Sequence, residues 1–330
     1  MFNKGFVFGK FYPLHKGHLA LIEFALRHCN HLDILVCCSD KELISSSIRA
    51  SWLKESIPDK QRINIIEYCY SEKVLPNTSV TSRDVSAIWS EVFKGFLPNT
   101  ELVVTSEPYG DLVAECMQIQ HKLFDMGRSH HSVSASDIRR SILSRWDYLP
   151  KQVQSYFQRT VSICGTESTG KTVLATYLSS QFPATVVSEV ARDLIPDSNH
   201  FSRDDLQRVA IEHAEKIGCA RKTSRPLVLL DTDIYITQSY AHYKFNEALN
   251  LPRSIYHSNE SDLRLYLDTS APFIQDGTRL SETERNRLDH HHRQTLKKFN
   301  QGYAEITGAD WLERTQSAQL QVAELFRFSW

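Results

Sequence analysis

Two doubly wound α/β domains, each a parallel sheet with helices on both faces, are what this 330-residue sequence predicts. Three observations point there. Short apolar runs alternate with helical patterns in both halves. In each half the first apolar run leads into a glycine-punctuated turn and then a helix. The length also suits two domains of ordinary size, each able to bury its own core.

In the first half, residues 5–8, 32–38, 63–66 and 102–105 read as buried strands, and 19–27, 49–56 and 84–96 carry helical spacing. Ligands of such sheets gather at the carboxyl ends of the strands, where residues 9–18 fall. A boundary is expected over 146–158, where Leu149-Pro150 interrupts the pattern and a polar stretch follows, giving domains 1–150 and 151–330. The second alternation has strands at 161–164, 185–187, 227–230 and 263–267. A helix over 202–219 starts at Ser202-x-x-Asp205, the pattern of a capping box. No repeat or low-complexity tract occurs in either half.

Composition excludes several classes. With 41% hydrophobic and 23% charged residues and a net charge of −1, the chain has no overall positive field to draw in nucleic acid or anionic membrane. An anionic substrate must be captured locally. The seven cysteines are scattered, without a C-x-x-C pair, which fits a reducing cytoplasm. Cys37, Cys38 and Cys164 lie in apolar runs as small core residues. No apolar stretch approaches the ~18 residues needed to span a bilayer. Because the chain opens almost at once on a strand, neither a targeting sequence nor an N-terminal DNA-binding module is expected.

In the second half, Gly165-Thr166-Glu167-Ser168-Thr169-Gly170-Lys171-Thr172 fits the phosphate loop G-x-x-x-x-G-K-[ST] at every fixed position. Such loops aim backbone N–H groups at phosphate oxygens from a helix N-terminus, and the glycines allow close approach. Lys171 would neutralise the β/γ-phosphates of ATP, and the Thr172 hydroxyl would ligate Mg²⁺. The loop also needs a metal-orienting acid at the end of another strand. Asp231 and Asp233 offer two carboxylates after an apolar run, and Glu189 with Arg192 follows the preceding strand. A hydroxyl acceptor must lose a proton during phosphoryl transfer, so Asp231, Asp233 or Glu189 is the expected base.

Gln275-Asp276-Gly-Thr-Arg279, followed by Glu284-Arg285-Asn-Arg287, has the makeup of a lid whose arginines close over the transferring phosphoryl group. A charged surface helix is the competing reading. His290, His291 and His292 occupy adjacent helix positions that do not converge on one ion, and they read as a solvated face.

In the first half, Gly9-Lys10-Phe11-Tyr-Pro-Leu-His15-Lys16-Gly17-His18 matches the G-x-F-x-P-x-H-x-G-H signature of the nucleotidyltransferase superfamily at every fixed position. Ser134-Ala-Ser136-Asp-Ile-Arg139 resembles that superfamily's second signature, with Ser136 in the usual threonine place. The segment 103–110, with Ser106, Glu107 and Tyr109, looks like the nicotinamide-mononucleotide-binding segment of bacterial pyridine-nucleotide enzymes. Over residues 5–325 the chain resembles the bifunctional NAD-biosynthesis proteins of the NadR type. The likeness in the second half includes Glu189–Arg192, 231–233 and 275–279.

That resemblance implies a Rossmann-like nicotinamide-mononucleotide adenylyltransferase followed by a P-loop ribosylnicotinamide kinase. Its ligands would be ATP, ribosylnicotinamide, nicotinamide mononucleotide and NAD, with Mg²⁺ as cofactor and homo-oligomerisation left open. His15 and His18 would hold the triphosphate in a pocket shaped by Gly9, Phe11 and Gly17. Lys10, Lys16 and Arg139 would neutralise charge, and Ser134 and Ser136 would donate hydrogen bonds. Ser106, Glu107 and Tyr109 would bind the mononucleotide, and Arg192 and Asp276 the nucleoside, with Arg279 acting on the phosphoryl group. The mononucleotide's phosphate is already ionised near neutral pH, so adenylyl transfer needs positioning and charge stabilisation rather than a base. Many family members begin with a repressor helix-turn-helix, which is not expected here. The alternatives are a coenzyme A synthase-like bifunctional enzyme and a nucleotide-sensing regulator without turnover.

Overall fold

The computed structural model describes residues 1–76, 82–127, 131–195, 200–270, 281–328 and 330. The chain divides into one unit of Met1–Tyr156 with Phe328–Trp330, and a second of Phe157–Arg327.

The first unit runs β1 (Phe2–Gly9), α1 (Lys16–Leu26), β2 (Cys29–Ser39), α2 (Ser46–Ser56), β3 (Ile63–Tyr70), α3 (Arg83–Phe96), β4 (Leu102–Thr105), α4 (Tyr109–Met117), β5 (Gln120–Leu123) and α5 (Ala135–Arg140). A 3₁₀ turn at Leu143–Tyr148 then leads to α6 (Lys151–Phe157). All strands are parallel, in the order β3-β2-β1-β4-β5. The apolar runs of β1, β2 and β4 are buried because helices cover both faces. Phe6, Leu35, Phe93 and Val103 sit in one core cluster. From β1 the chain builds outward to β3 and then crosses back to β4 on the other side of β1. The switch point therefore opens a crevice between the carboxyl ends of β1 and β4.

The second unit runs β6 (Arg159–Cys164), α7 (Lys171–Gln181), β7 (Ala184–Val187), α8 (Ala191–Leu194), α9 (Arg203–Arg221), β8 (Leu227–Asp231), α10 (Ile234–Phe245), α11 (Arg253–Ser258), β9 (Leu263–Leu267), α12 (Glu282–Lys298), β10 (Ala304–Ile306) and α13 (Trp311–Glu324). Its parallel sheet has the order β10-β9-β6-β8-β7, with β6 central. The capping box at Ser202 is formed: Ser202 Oγ accepts from the Asp205 N–H, and the Asp205 carboxylate accepts from the Ser202 N–H. Among the described residues no helix is long and apolar enough to cross a membrane.

The units part after Tyr156. The cause is packing: Tyr156 meets Trp52 edge-on at 5.3 Å, and Gln152 donates to the Glu55 carbonyl at 3.3 Å, so α6 stays on α2. Strands β5 and β10 have no counterpart in the sequence reading. The first is the polar edge segment Gln120-His-Lys-Leu, and the second is only three residues long.

Candidate functional site

In the first unit, the turn after β1 is built around two stacked imidazoles. His15 N–H donates to His18 Nδ1 at 3.3 Å, which starts α1 at Lys16, earlier than its apolar spacing indicates. Accepting at Nδ1 places the proton of a neutral His18 ring on Nε2. The rings lie 3.6 Å apart, tilted by 24°. A Cβ at position 17 would come within 3.0 Å of the His15 ring, so the stack needs Gly17. Phe11, buried at a positive φ of 46°, meets the His18 ring edge-on at 5.0 Å.

The cations of this turn are held in place. Lys10 Nζ is 2.7 Å from Glu42, whose other oxygen is 2.6 Å from the wholly buried Arg49. The Arg49 guanidinium donates to the Lys10 carbonyl at 3.0 Å and lies 4.2 Å from the centre of the Tyr12 ring. Arg139 donates to the Tyr12 carbonyl at 2.5 Å and to Ser136 Oγ at 3.0 Å. Trp330 donates its indole N–H to the Arg139 carbonyl at 3.0 Å and packs edge-on against Tyr12 at 5.6 Å. Lys16 is exposed. Ser134 is engaged in capping α5, accepting from Asp137 N–H at 3.1 Å and donating to its carboxylate at 2.7 Å.

Glu42, Arg49 and Trp330 belong to neither signature, and only the fold joins them to Lys10 and Arg139. Beside this turn a cavity of about 620 Å³ is walled by Phe8, Tyr70, Trp89 and Tyr109, and it also presents Gly9, Lys10, Glu107 and Arg139. Trp89 stands perpendicular to Tyr70 at 5.0 Å, and Phe8 lies 5.5 Å from Tyr109. Glu107 and Tyr109 line the cavity, whereas Ser106 does not. Phe8 and Tyr70 carry no motif, although each sits on a strand facing this crevice. Cys37 also lines it, but burial pushes its thiol up to about 12, so it is inert.

In the second unit the phosphate loop is wrapped tightly after β6. Gly165 has φ +140° and Gly170 φ +90°; a Cβ would lie 2.6 Å from the Leu267 carbonyl in the first case and 2.8 Å from the Trp311 ring in the second. Lys171 Nζ and Thr169 Oγ1 both donate to the Thr166 carbonyl, at 3.0 and 2.8 Å. Ser168 takes a positive φ of 61°, and Glu167 accepts from the buried Tyr240 hydroxyl. Arg314 is wholly buried; it donates to the Thr169 carbonyl at 3.1 Å and pairs with Asp268, strapping the loop to the end of β9. The sequence carries no local signal for that strap.

Asp231 and Asp233, neighbours in sequence, do different work. Thr172 Oγ1 donates to Asp231 Oδ2 at 2.5 Å, and Asp231 Oδ1 is buried without a hydrogen-bond partner. Burial raises the Asp231 pKa, opposed by the charge of Lys171 and the Thr172 hydrogen bond. Asp233 is fully buried, caps α10 through Oδ1, and is 2.7 Å from Arg264 through Oδ2. Both its oxygens are used in structure, which removes it from the candidate bases.

Glu189 accepts from Arg192 at 2.8 Å and shares a small cavity of about 30 Å³ with Asp231, Thr232, His213 and Tyr240. Three buried polar atoms of these residues, His213 Nε2, Asp231 Oδ1 and Thr232 Oγ1, have no hydrogen-bond partner. His213 lies on α9, outside every motif.

Asp276 and Arg279 lie outside the described residues. Arg285, expected in a lid, is buried and donates to the Thr269 carbonyl at 3.3 Å, whereas Arg287 is exposed. The histidine run is not a solvated face throughout. His290 is exposed, but His292 is wholly buried, with Nδ1 2.8 Å from Ser239 Oγ.

Among the described residues no three His, Cys, Asp or Glu side chains gather as a metal cage. Mg²⁺ is usually held by one or two carboxylates together with substrate phosphates. The Thr172 hydroxyl and the unpartnered Asp231 oxygen fit that donor set.

A family model described as Cytidylyltransferase-like matches residues 6–141, and one described as AAA domain matches residues 160–314. The chain is 27% identical to the Trifunctional NAD biosynthesis/regulator protein NadR of Salmonella typhimurium, over 94% of this chain and 80% of that protein. It is 29% identical to the protein of the same name from Escherichia coli, over 83% of this chain and 71% of that one. Crystal structures of NadR protein in complex with NR, and in complex with NAD and AMP-PNP, are each 22% identical to it. They share the fold, with TM-scores of 0.62 and 0.61, covering 99% and 100% of this chain and 97% and 98% of theirs. Fold and sites define an enzyme with a nucleotidyltransferase unit followed by a P-loop kinase unit. Over nearly its whole length the chain is similar to the NadR proteins.

Proposed function

We propose that the chain makes NAD in two ATP-dependent steps. The second unit phosphorylates ribosylnicotinamide to nicotinamide mononucleotide, and the first adenylylates that product to NAD with release of pyrophosphate. One observation carries this reading: the two phosphate-binding turns have opposite electrostatic character. The first presents His15, His18, Lys10 and Arg139, with its carboxylate Glu42 engaged by two cations. The second sets Glu189 and Asp231 around a small cavity.

In the first unit the attacking group is an ionised phosphate, so no base is required. The stacked histidines, Lys10 and Arg139 hold the triphosphate and offset the charge that develops on the departing pyrophosphate. The cationic nicotinamide ring fits the cavity of Phe8, Trp89 and Tyr109, whose faces attract a cation, beside the Glu107 carboxylate.

In the second unit the loop amides and Lys171 cradle the ATP phosphates. Thr172 and Asp231 would hold Mg²⁺, which supplies neutralisation of the β/γ-phosphate charge. Glu189 accepts the proton of the attacking 5′-hydroxyl, and Arg192 orients it. The unpartnered atoms of His213 and Thr232 receive the substrate's hydroxyl groups. Asp276 is assigned to the nucleoside and Arg279 to the phosphoryl group from their motif. Free thiols throughout the described chain fit a cytoplasmic setting.

The test is to supply ATP with one acceptor at a time. Ribosylnicotinamide is expected to release ADP, and the mononucleotide to release pyrophosphate. Turnover of dephospho-coenzyme A instead, or of none of these, would refute the reading.

A further inference from the structure

Three side chains outside both signatures form a hydrogen-bonded chain at the carboxyl end of β4. His121, on the edge strand β5 opposite Val103, has Nε2 2.9 Å from Thr105 Oγ1 and Nδ1 2.7 Å from Asp111 Oδ1. Thr105 Oγ1 lies 2.7 Å from the Glu107 carbonyl. The imidazole is buried, its side chain 6% exposed, while Asp111 is 73% exposed.

The hydrogen-bond pattern assigns the protons. A carbonyl only accepts, so Thr105 donates its single hydroxyl proton to the Glu107 carbonyl. The hydroxyl's remaining lone pairs then accept from Nε2, while Nδ1 faces the Asp111 carboxylate at 2.7 Å. The order Thr-His-Asp resembles a nucleophile triad, but here the protons run the opposite way. A ring whose Nε2 already carries a proton cannot take one from Thr105 at that nitrogen, and Thr105 is itself only 2% exposed. The task of this chain is to hold, not to react.

What it holds is the turn into α4. The Glu107 carbonyl also accepts from Gly110 N–H at 3.2 Å. Gly110 lies flat against the chain: a Cβ there would sit 2.2 Å from His121 Nε2 and 2.4 Å from Thr105 Oγ1. The same turn presents Glu107 and Tyr109 to the aromatic cavity.

We propose that His121 is a positioning residue for the mononucleotide: acting through Thr105 it fixes the Glu107 carbonyl, and so sets how Glu107 and Tyr109 stand in the cavity. This rests on reading that cavity as the mononucleotide site. Glu107 and Tyr109 meet the nicotinamide end, away from the reacting phosphorus. Loosening them removes binding that is equal in ground and transition states, which raises KM and leaves kcat unchanged.

The test uses the full chain and steady-state kinetics with mononucleotide and ATP. Thr105→Val, nearly isosteric, and His121→Gln are each expected to raise the mononucleotide KM about tenfold, the weight of one hydrogen bond to a well-ordered group. KM for ATP and kcat should hold, and Thr105→Ser, which restores the hydroxyl, should return KM to wild type. Because the two side chains act in series, the double variant should be no worse than either single one. An unchanged mononucleotide KM in Thr105→Val, or equal losses for ATP and mononucleotide, overturns the proposal while leaving the cavity reading intact. A wild-type chain that makes no NAD from mononucleotide overturns both. If His121→Gln does not fold, the Thr105→Val and Thr105→Ser pair decides alone.

Discussion

The two phosphate turns occupy the same place in similar sheets, after the central strand, yet they handle carboxylates in opposite ways. At the first, Glu42 is bound by Lys10 at 2.7 Å and Arg49 at 2.6 Å, so its charge is neutralised from both sides. At the second, Asp231 keeps a buried oxygen unpartnered and Glu189 lines the same small cavity. The first cavity is wide and aromatic, about 620 Å³, against about 30 Å³ for the second. The contrast follows from the nucleophile. An ionised phosphate arrives ready to attack, whereas a hydroxyl must first surrender a proton.

The largest effect expected is from Lys171→Ala, which should cut mononucleotide formation roughly a thousandfold, the scale seen when a charge-stabilising donor is lost. Adenylylation of added mononucleotide should survive; parallel loss of both would show that the two turns are not separate sites. Next, Glu189→Gln should lower kcat for ribosylnicotinamide phosphorylation by about 10²–10⁴-fold, read as ADP release. If instead Asp231→Asn alone abolished proton transfer and Glu189→Gln were silent, the carboxylate roles would be exchanged.

Asp233→Ala should act on stability instead. Removing one partner of a buried ion pair typically costs about 3–5 kcal/mol, and it leaves Arg264 uncompensated inside the second unit. Denaturant unfolding would register that loss. Unchanged stability with lost kinase turnover would return Asp233 to the reaction.

The smallest effect concerns acid. Burial holds His292 down to about 3, with repulsion from Lys171 in the same direction. An unfolded histidine titrates near 6.5, so the unfolded chain takes a proton that the folded one refuses. Stability from this group is therefore complete above about pH 6.5 and declines as the pH falls toward 3. Burial lowers His213 as well, adding to the slope. In His292→Gln, unfolding measured between pH 4 and 7 should show a flatter acid limb.

Much of this was readable in the residues before any fold was known. Strands β1, β2, β4, β6, β8 and β9 stand out because burial on both faces leaves unbroken apolar runs. β5 does not, because a polar edge strand lacks that mark. Both phosphate turns are local in sequence, so their motifs are visible. Glu42, Arg49, Arg314 and His213 reach their sites only through the fold, and no spacing announces them. Asp231 and Asp233 could not be told apart because one ends a strand and the other caps the next helix. His292 was legible in principle: Leu288, His292 and Leu296 recur every four residues, and all three are buried on one stripe of α12.

The most direct measurement follows the fate of ribosylnicotinamide by mass spectrometry, with excess ATP, in the wild-type chain and in His18→Ala. The wild type is expected to pass through mononucleotide to NAD. The variant is expected to accumulate mononucleotide and stop. NAD formed by His18→Ala at the wild-type rate, or a variant unable to make mononucleotide at all, would contradict the assignment of one reaction to each turn.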